Sequence, residues 1–195
     1  MRTQMILGAL AVLAALIAPA KAADTVVDPQ RELAAKLLPC ATCHQNGRSK
    51  AAVIPIISGQ QEGYLLKQLR DFRSGARTFE IMKWMAESMT PAEMASAAAY
   101  FAKRDWPARV QTAAATPAPR GIAVCQACHQ QNFMGAVQAE GMVTPRLAGQ
   151  SYDYLVEAMR RFADGERTNN ADMVMIMKGI PAADREAMAR YLSAL

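Results

Sequence analysis

Cys40-Ala41-Thr42-Cys43-His44 and Cys125-Gln126-Ala127-Cys128-His129 share the pattern C-x-x-C-H, and together they use every cysteine and every histidine of the 195-residue chain. Two thiols three positions apart can each form a thioether to one of the two vinyl groups of a haem. The adjacent imidazole is then held beneath the iron as the proximal ligand, which is the attachment pattern of c-type haem. A thioredoxin-like redox motif would need one C-x-x-C in a strand–helix–strand setting, and no such alternation is visible. A Cys₂His₂ zinc site would need its histidines spaced from each other. Disulfides across C-x-x-C would close small strained loops. The pattern therefore points to two covalent haem c groups, attached through Cys40, Cys43, Cys125 and Cys128, with His44 and His129 on the iron.

The same count limits the sixth position. No histidine is left over, so a bis-histidine iron is excluded, and class I cytochromes usually use methionine there. Of the 13 methionines, most must be core filler. In the first half Met82 follows Arg77 closely and precedes a clear helix start at Thr90. It is expected to lie in an irregular stretch that can reach over a haem face, with Met85 as the runner-up and Met89 and Met94 as packing. In the second half Met173, Met175 and Met177 all qualify. Counting back from Tyr100 and Tyr191 favours Met173, which matches Met82.

Those motifs belong to a longer repeat. Pro55, Gly59, Gln60, Tyr64, Leu65, Phe72, Gly75 and Arg77 recur as Pro145, Gly149, Gln150, Tyr154, Leu155, Phe162, Gly165 and Arg167, all at an offset of 90. The cysteine offset is 85, so the loop after the second motif is five residues longer. Leu65, Leu69 and Phe72 fall at helical spacing, as do Leu155, Met159 and Phe162. Gly75 and Gly165 supply the stops. Thr90-Pro91-Ala92-Glu93 reads as a capping box that opens a helix through Tyr100. The counterpart starting at Pro181 lacks that Thr and Glu. A helix near Pro29–Leu38 leads into the first motif, and no run alternates with period two. The expected fold class is therefore all-α: two tandem class I cytochrome c domains, each packed around a covalent haem. Each is small enough to need that apolar centre. The boundaries are 24–104 and 120–195, joined by a Pro/Ala/Thr-rich linker at 105–119.

Two further roles follow from position. The carbonyls of Pro55 and Pro145 could accept the proximal imidazole N–H and fix its orientation; an ordinary loop proline is the equal alternative. Arg77 and Arg167 could bind haem propionates, although solvated helix-end charges are the commoner reading.

Residues 1–22 read as a cleaved export signal. Arg2 is followed by an apolar run of 14 residues from Met5 to Ala18, then Pro19 and Ala20-Lys21-Ala22. The run is short of the roughly 20 residues of a membrane span. Its removal leaves 20 basic against 17 acidic residues, a net charge of +3. No basic stripe marks a nucleic-acid partner, and there is no phosphate loop or nucleophile elbow.

With these residues in view, the chain resembles the dihaem cytochrome c4 family. The carriers are both C-x-x-C-H motifs, the twin stretches Gly59–Leu69 and Gly149–Leu155, Arg167-Thr168-Asn169-Asn170, and the tyrosine-bearing terminal helices. The resemblance implies two class I domains related by a pseudo-twofold, with ligand pairs His44/Met82 and His129/Met173. It implies a periplasmic electron carrier, soluble or loosely membrane-associated, working between a redox donor and an acceptor such as a terminal oxidase. The sequence departs from the family at Gln45 and Gln130, where Gly is common, and between Met177 and Pro181, which looks shortened. A haem subunit of a periplasmic dehydrogenase, resembling that of flavocytochrome c, is the alternative. A dihaem peroxidase or thiosulfate dehydrogenase would need a further His or Cys ligand, and none is spare.

Overall fold

The computed structural model describes residues 29–44, 53–107, 117–138 and 141–195. The expected export signal, Gln45 and residues 108–116 of the expected linker lie outside the described residues.

The chain folds into two helical units of the same plan. In the first, α1 (Pro29–Lys36) and α2 (Leu38–Cys43) lead into the first C-x-x-C-H motif, and α3 (Glu62–Ser74), α4 (Glu80–Glu87) and α5 (Pro91–Ala102) follow. In the second, α6 (Ala123–His129) carries the other motif. A two-stranded hairpin, β1 (Ala136–Val137) with β2 (Val143–Thr144), comes next, and then α7 (Tyr152–Ala163), α8 (Ala171–Gly179) and α9 (Ala182–Ala194).

Helix α3 packs against α4 and α5, and α7 packs against α8 and α9. The i, i+4, i+7 stripe of the sequence is the reason. Leu65 and Phe72 are buried along α3, and Leu155, Met159 and Phe162 along α7. Each buried apolar side chain of this size contributes about 1.5–3 kcal/mol relative to exposure. Helix α3 stops where Gly75 takes a left-handed φ of 81°, a conformation in which a Cβ would be strained. The capping box of α5 is formed: the Glu93 N–H donates to Thr90 Oγ1, and Glu93 Oε2 accepts from the Thr90 N–H. Its counterpart α9 starts after Pro181 with no side-chain cap.

The hairpin was not foreseen from the sequence. It uses the five extra residues after the second motif, pairing Ala136 with Thr144 and Val137 with Val143. Two-residue strands are too short for alternation to show. The hairpin ties down the end of α6, because Thr144 Oγ1 and Gln138 Nε2 both donate to the Cys128 carbonyl, at 2.9 and 2.8 Å. It also reaches the first unit. Val143 packs over Gly63 of α3, where a Cβ would lie 2.7 Å from Val143 Cγ2.

Candidate haem-binding sites

Each C-x-x-C-H motif sits at the end of a short helix, which brings its two thiols to successive turns of one face. None of the four cysteines is paired in a disulfide. Burial pushes the Cys40 and Cys125 thiols up, so both are held neutral. Cys40 borders the first unit's core and Cys125 that of the second.

The two imidazoles are held alike. His44 Nδ1 lies 2.9 Å from the Pro55 carbonyl oxygen, and His129 Nδ1 lies 2.9 Å from that of Pro145. The orienting role considered for these prolines is thus the one their geometry fits. Burial drives both imidazoles below the ordinary histidine range, against the pull of the carbonyl hydrogen bond. A neutral ring whose Nδ1–H is spent on a carbonyl presents Nε2 as a lone pair.

The methionines correct one expectation. Met82 lies within α4 rather than in irregular chain, because the Ile81–Glu87 run supports an amphipathic helical turn once Phe79 has entered in extended conformation. Met173 occupies the same third position of α8, whose N-cap Asn170 accepts from the Met173 N–H at 2.8 Å. Met82 stands eight residues before the cap of α5, and Met173 eight before that of α9. The Met173–Pro181 segment thus equals its first-unit counterpart, Met82–Thr90, in length. Met82 and Met173 are both half-buried. Met175 is 69% exposed, and Met177 is 2% exposed inside the core, where Ala86 stands in α4. Met173 and Cys125 pack against one core cluster. Met82 and Cys40 border two clusters that share Leu66, Leu69 and Met89.

Between the units lies a polar face built reciprocally. Arg77 Nη2 donates to the Tyr154 hydroxyl at 3.3 Å, and Arg167 Nη2 donates to the Tyr64 hydroxyl at 3.2 Å. Each guanidinium also lies over its own unit's phenyl ring, Arg77 over Phe72 and Arg167 over Phe162. Such i-to-j′, j-to-i′ exchange is the signature of a twofold relation. Gln68 Oε1 accepts from both arginines, at 2.7 and 3.0 Å, and has no counterpart, since Ala158 holds the equivalent position. Arg167 is only 6% exposed. The expectation of solvated helix-end charges is therefore corrected. Among the described residues neither arginine has a carboxylate partner. Burial would raise the Tyr154 phenol, but the fields of Arg77 and Arg167 pull it down to about 7.

Sequence reasoning did not find the glutamines of this interface. Gln60 and Gln150, 4% and 2% exposed, each bond the backbone of the opposite unit. Their signal was the repeated Gly-Gln of the offset-90 pattern. In the sequence Tyr64 and Tyr154 are only matched positions of the repeat.

The donor set fits haem c. It comprises two thiols and a carbonyl-oriented neutral imidazole at each motif, a half-buried thioether on another helix of the same unit, and one buried and one half-buried guanidinium with no carboxylate partner among the described residues. Among the described residues, no three His, Cys, Asp or Glu side chains converge to hold an ion directly. The fold and the paired sites define a dihaem c-type cytochrome built from two class I units. The cytochrome c family model matches residues 121–195. Cytochrome c4 of Pseudomonas aeruginosa is 31% identical, over 83% of this chain and 86% of the relative. The thiosulfate dehydrogenase electron acceptor of Stutzerimonas stutzeri is 33% identical, over 79% of this chain and 77% of its own. Among solved structures, Acidithiobacillus ferrooxidans cytochrome c4 superposes with a TM-score of 0.69 at 28% identity, covering 82% of this chain and 99% of that one. This chain belongs to the cytochrome c4 family, electron-transfer proteins with two covalent haem c groups.

Proposed function

We propose that this protein is a periplasmic carrier in which Cys40, Cys43, His44 and Met82 hold one haem, and Cys125, Cys128, His129 and Met173 hold the other. The observation that carries the reading is the matched pair of imidazoles, each with Nδ1 2.9 Å from a proline carbonyl oxygen. That hydrogen bond fixes the ring, selects the tautomer and leaves Nε2 as the ligating atom. Each iron would supply a one-electron couple whose potential methionine ligation raises. Met82 and Met173 each project from the third position of a helix; Met173 packs on the same core cluster as Cys125, and Met82 on a cluster that adjoins that of Cys40. With both axial positions filled by side chains, no open site remains for substrate, which supports a carrier rather than an enzyme. Arg77 and Arg167, with Tyr64 and Tyr154, would bind the propionates. The charged edges of both groups would then lie toward the interface where these contacts are made, and their apolar parts toward the cores.

Two spectra on the purified protein test this reading. Pyridine haemochrome is expected to give two haems c per chain. The ferric form is expected to show the long-wavelength charge-transfer band of methionine–iron ligation, halved in Met82→Ala and again in Met173→Ala. One haem per chain, or no such band, overturns the assignment.

The resemblance to a thiosulfate dehydrogenase electron acceptor favours a second reading, a carrier docked on a periplasmic dehydrogenase. Copurification of a larger catalytic subunit from the native source would select it.

A further inference from the structure

The Pro55 carbonyl that holds His44 belongs to the peptide group whose N–H is that of Ile56. That N–H donates to Gln150 Oε1 of the other unit at 2.8 Å. The arrangement is mirrored. The Pro145 carbonyl holds His129, and its peptide N–H, that of Arg146, donates to Gln60 Oε1 at 2.7 Å. Each glutamine closes the grip with its other end, Gln150 Nε2 donating to the Ile56 carbonyl at 2.9 Å and Gln60 Nε2 to the Arg146 carbonyl at 3.0 Å. The side chains are held in place by their neighbours, for Gln150 Oε1 also accepts from the Ser151 N–H and Gln60 Oε1 from the Gln61 N–H.

We infer that Gln60 and Gln150 are cross-domain positioning residues, each setting the proximal-histidine hydrogen bond of the unit to which it does not belong. The inference rests on the reading of His44 and His129 as iron ligands. The physical link is polarisation through one amide. A peptide whose N–H is donated to an acceptor carries more negative charge on its oxygen and accepts more strongly in turn. A stronger acceptor at Nδ1 makes the imidazole a better donor to a metal and favours the more oxidised ion. Burial of both amides keeps water from substituting for either one. Each half of the molecule thereby tunes the other without any residue crossing into the opposite site. Rotation or separation of the two units would loosen both imidazole contacts.

The test uses Gln150→Met and Gln60→Met, close in volume to glutamine but unable to accept the peptide N–H. The haem-loaded proteins are titrated electrochemically, with each couple assigned through the NMR resonance of its axial methionine methyl. Gln150→Met is expected to raise the potential of the His44 couple by about threefold in its reduction equilibrium, about 28 mV at 59 mV per decade. The His129 couple should stay in place, and Gln60→Met should do the reverse. Loosening of the interface alone would wet both groups and move both couples together. That outcome, or no shift in either variant, overturns the inference. Intact haem count and methionine band in the same samples show that the ligand assignment itself still stands. If either variant fails to fold, amide exchange on the reduced wild-type protein decides. Slow exchange at Ile56 and Arg146, both in loops, is expected, and fast exchange at both overturns the proposal.

Discussion

Arg167 reaches out of its own helical unit and donates to the hydroxyl of Tyr64 in the other, at 3.2 Å, while itself only 6% exposed. A buried guanidinium bonded only to neutral groups is costly unless an anion completes it. The mirror contact from the half-buried Arg77 to Tyr154 adds a second, weaker requirement, and two propionates would meet both.

The phenol of Tyr154 reports on that anion. The paired arginines pull it down to about 7. Carboxylates seated beside the guanidiniums would offset their field and return the phenol toward its ordinary range. Haem-loaded protein is therefore expected to show no phenolate difference absorbance from Tyr154 between pH 6 and pH 9, with Tyr154→Phe as the blank. Ionisation centred near pH 7 in the loaded protein would remove the propionates from this face.

Met173 and Met177 are separable. Met177→Ala empties a core site that is 2% exposed, and should cost about 2–5 kcal/mol in denaturant unfolding while leaving both methionine–iron bands in place. Met173→Ala removes a half-buried side chain, and should halve the band at a much smaller cost in stability. Exchanged outcomes would transfer the ligand to Met177.

Gln130 follows the second haem motif with φ 67° and ψ 164°, a region that glycine alone enters freely. Its side chain is exposed, so nothing in its packing offsets the strain. Gln130→Gly should stabilise the protein by about 1 kcal/mol, read as a higher unfolding midpoint at unchanged haem spectrum. A lower midpoint would show that Gln130 is not strained.

Gly135 takes φ 70° and lies against the backbone of Thr144, Pro145 and Arg146. An added Cβ would meet the Thr144 carbonyl and the Pro145–Arg146 peptide at once. Gly135→Ala should cost about 2 kcal/mol or more, from left-handed strain together with overpacking. Because the displaced peptide is the one that holds His129, the second haem's couple should move and the first should not. Equal shifts in both couples would contradict that route.

Much of the site was legible from residue types alone, because covalent attachment demands a fixed local order. Cys40, Cys43 and His44 must be near neighbours for one haem, and the same holds for Cys125, Cys128 and His129. Local periodicity likewise announced α3, α7 and the capped start of α5. Spacing from the matched tyrosines favoured Met173 over Met175 and Met177 but said nothing of their surroundings. All three lie within two turns of α8, and only packing shows one exposed, one in the core and one between. The hairpin escaped notice because its strands are two residues long and its purpose, bracing the Cys128 carbonyl and covering Gly63, is non-local.

By itself the sequence determined the presence of two C-x-x-C-H haem motifs, the lack of any histidine beyond them and the duplication of one helical unit. All of these are matters of residue count and spacing. Tertiary structure decided what the copies do to each other. Arg77, Arg167, Gln60 and Gln150 read as ordinary members of a repeat until folding placed each against the opposite copy. Partners 77 to 103 positions apart in the chain leave no trace in local pattern. Their pairing exists only because two similar surfaces, brought face to face about a twofold, must satisfy each other's buried polar groups.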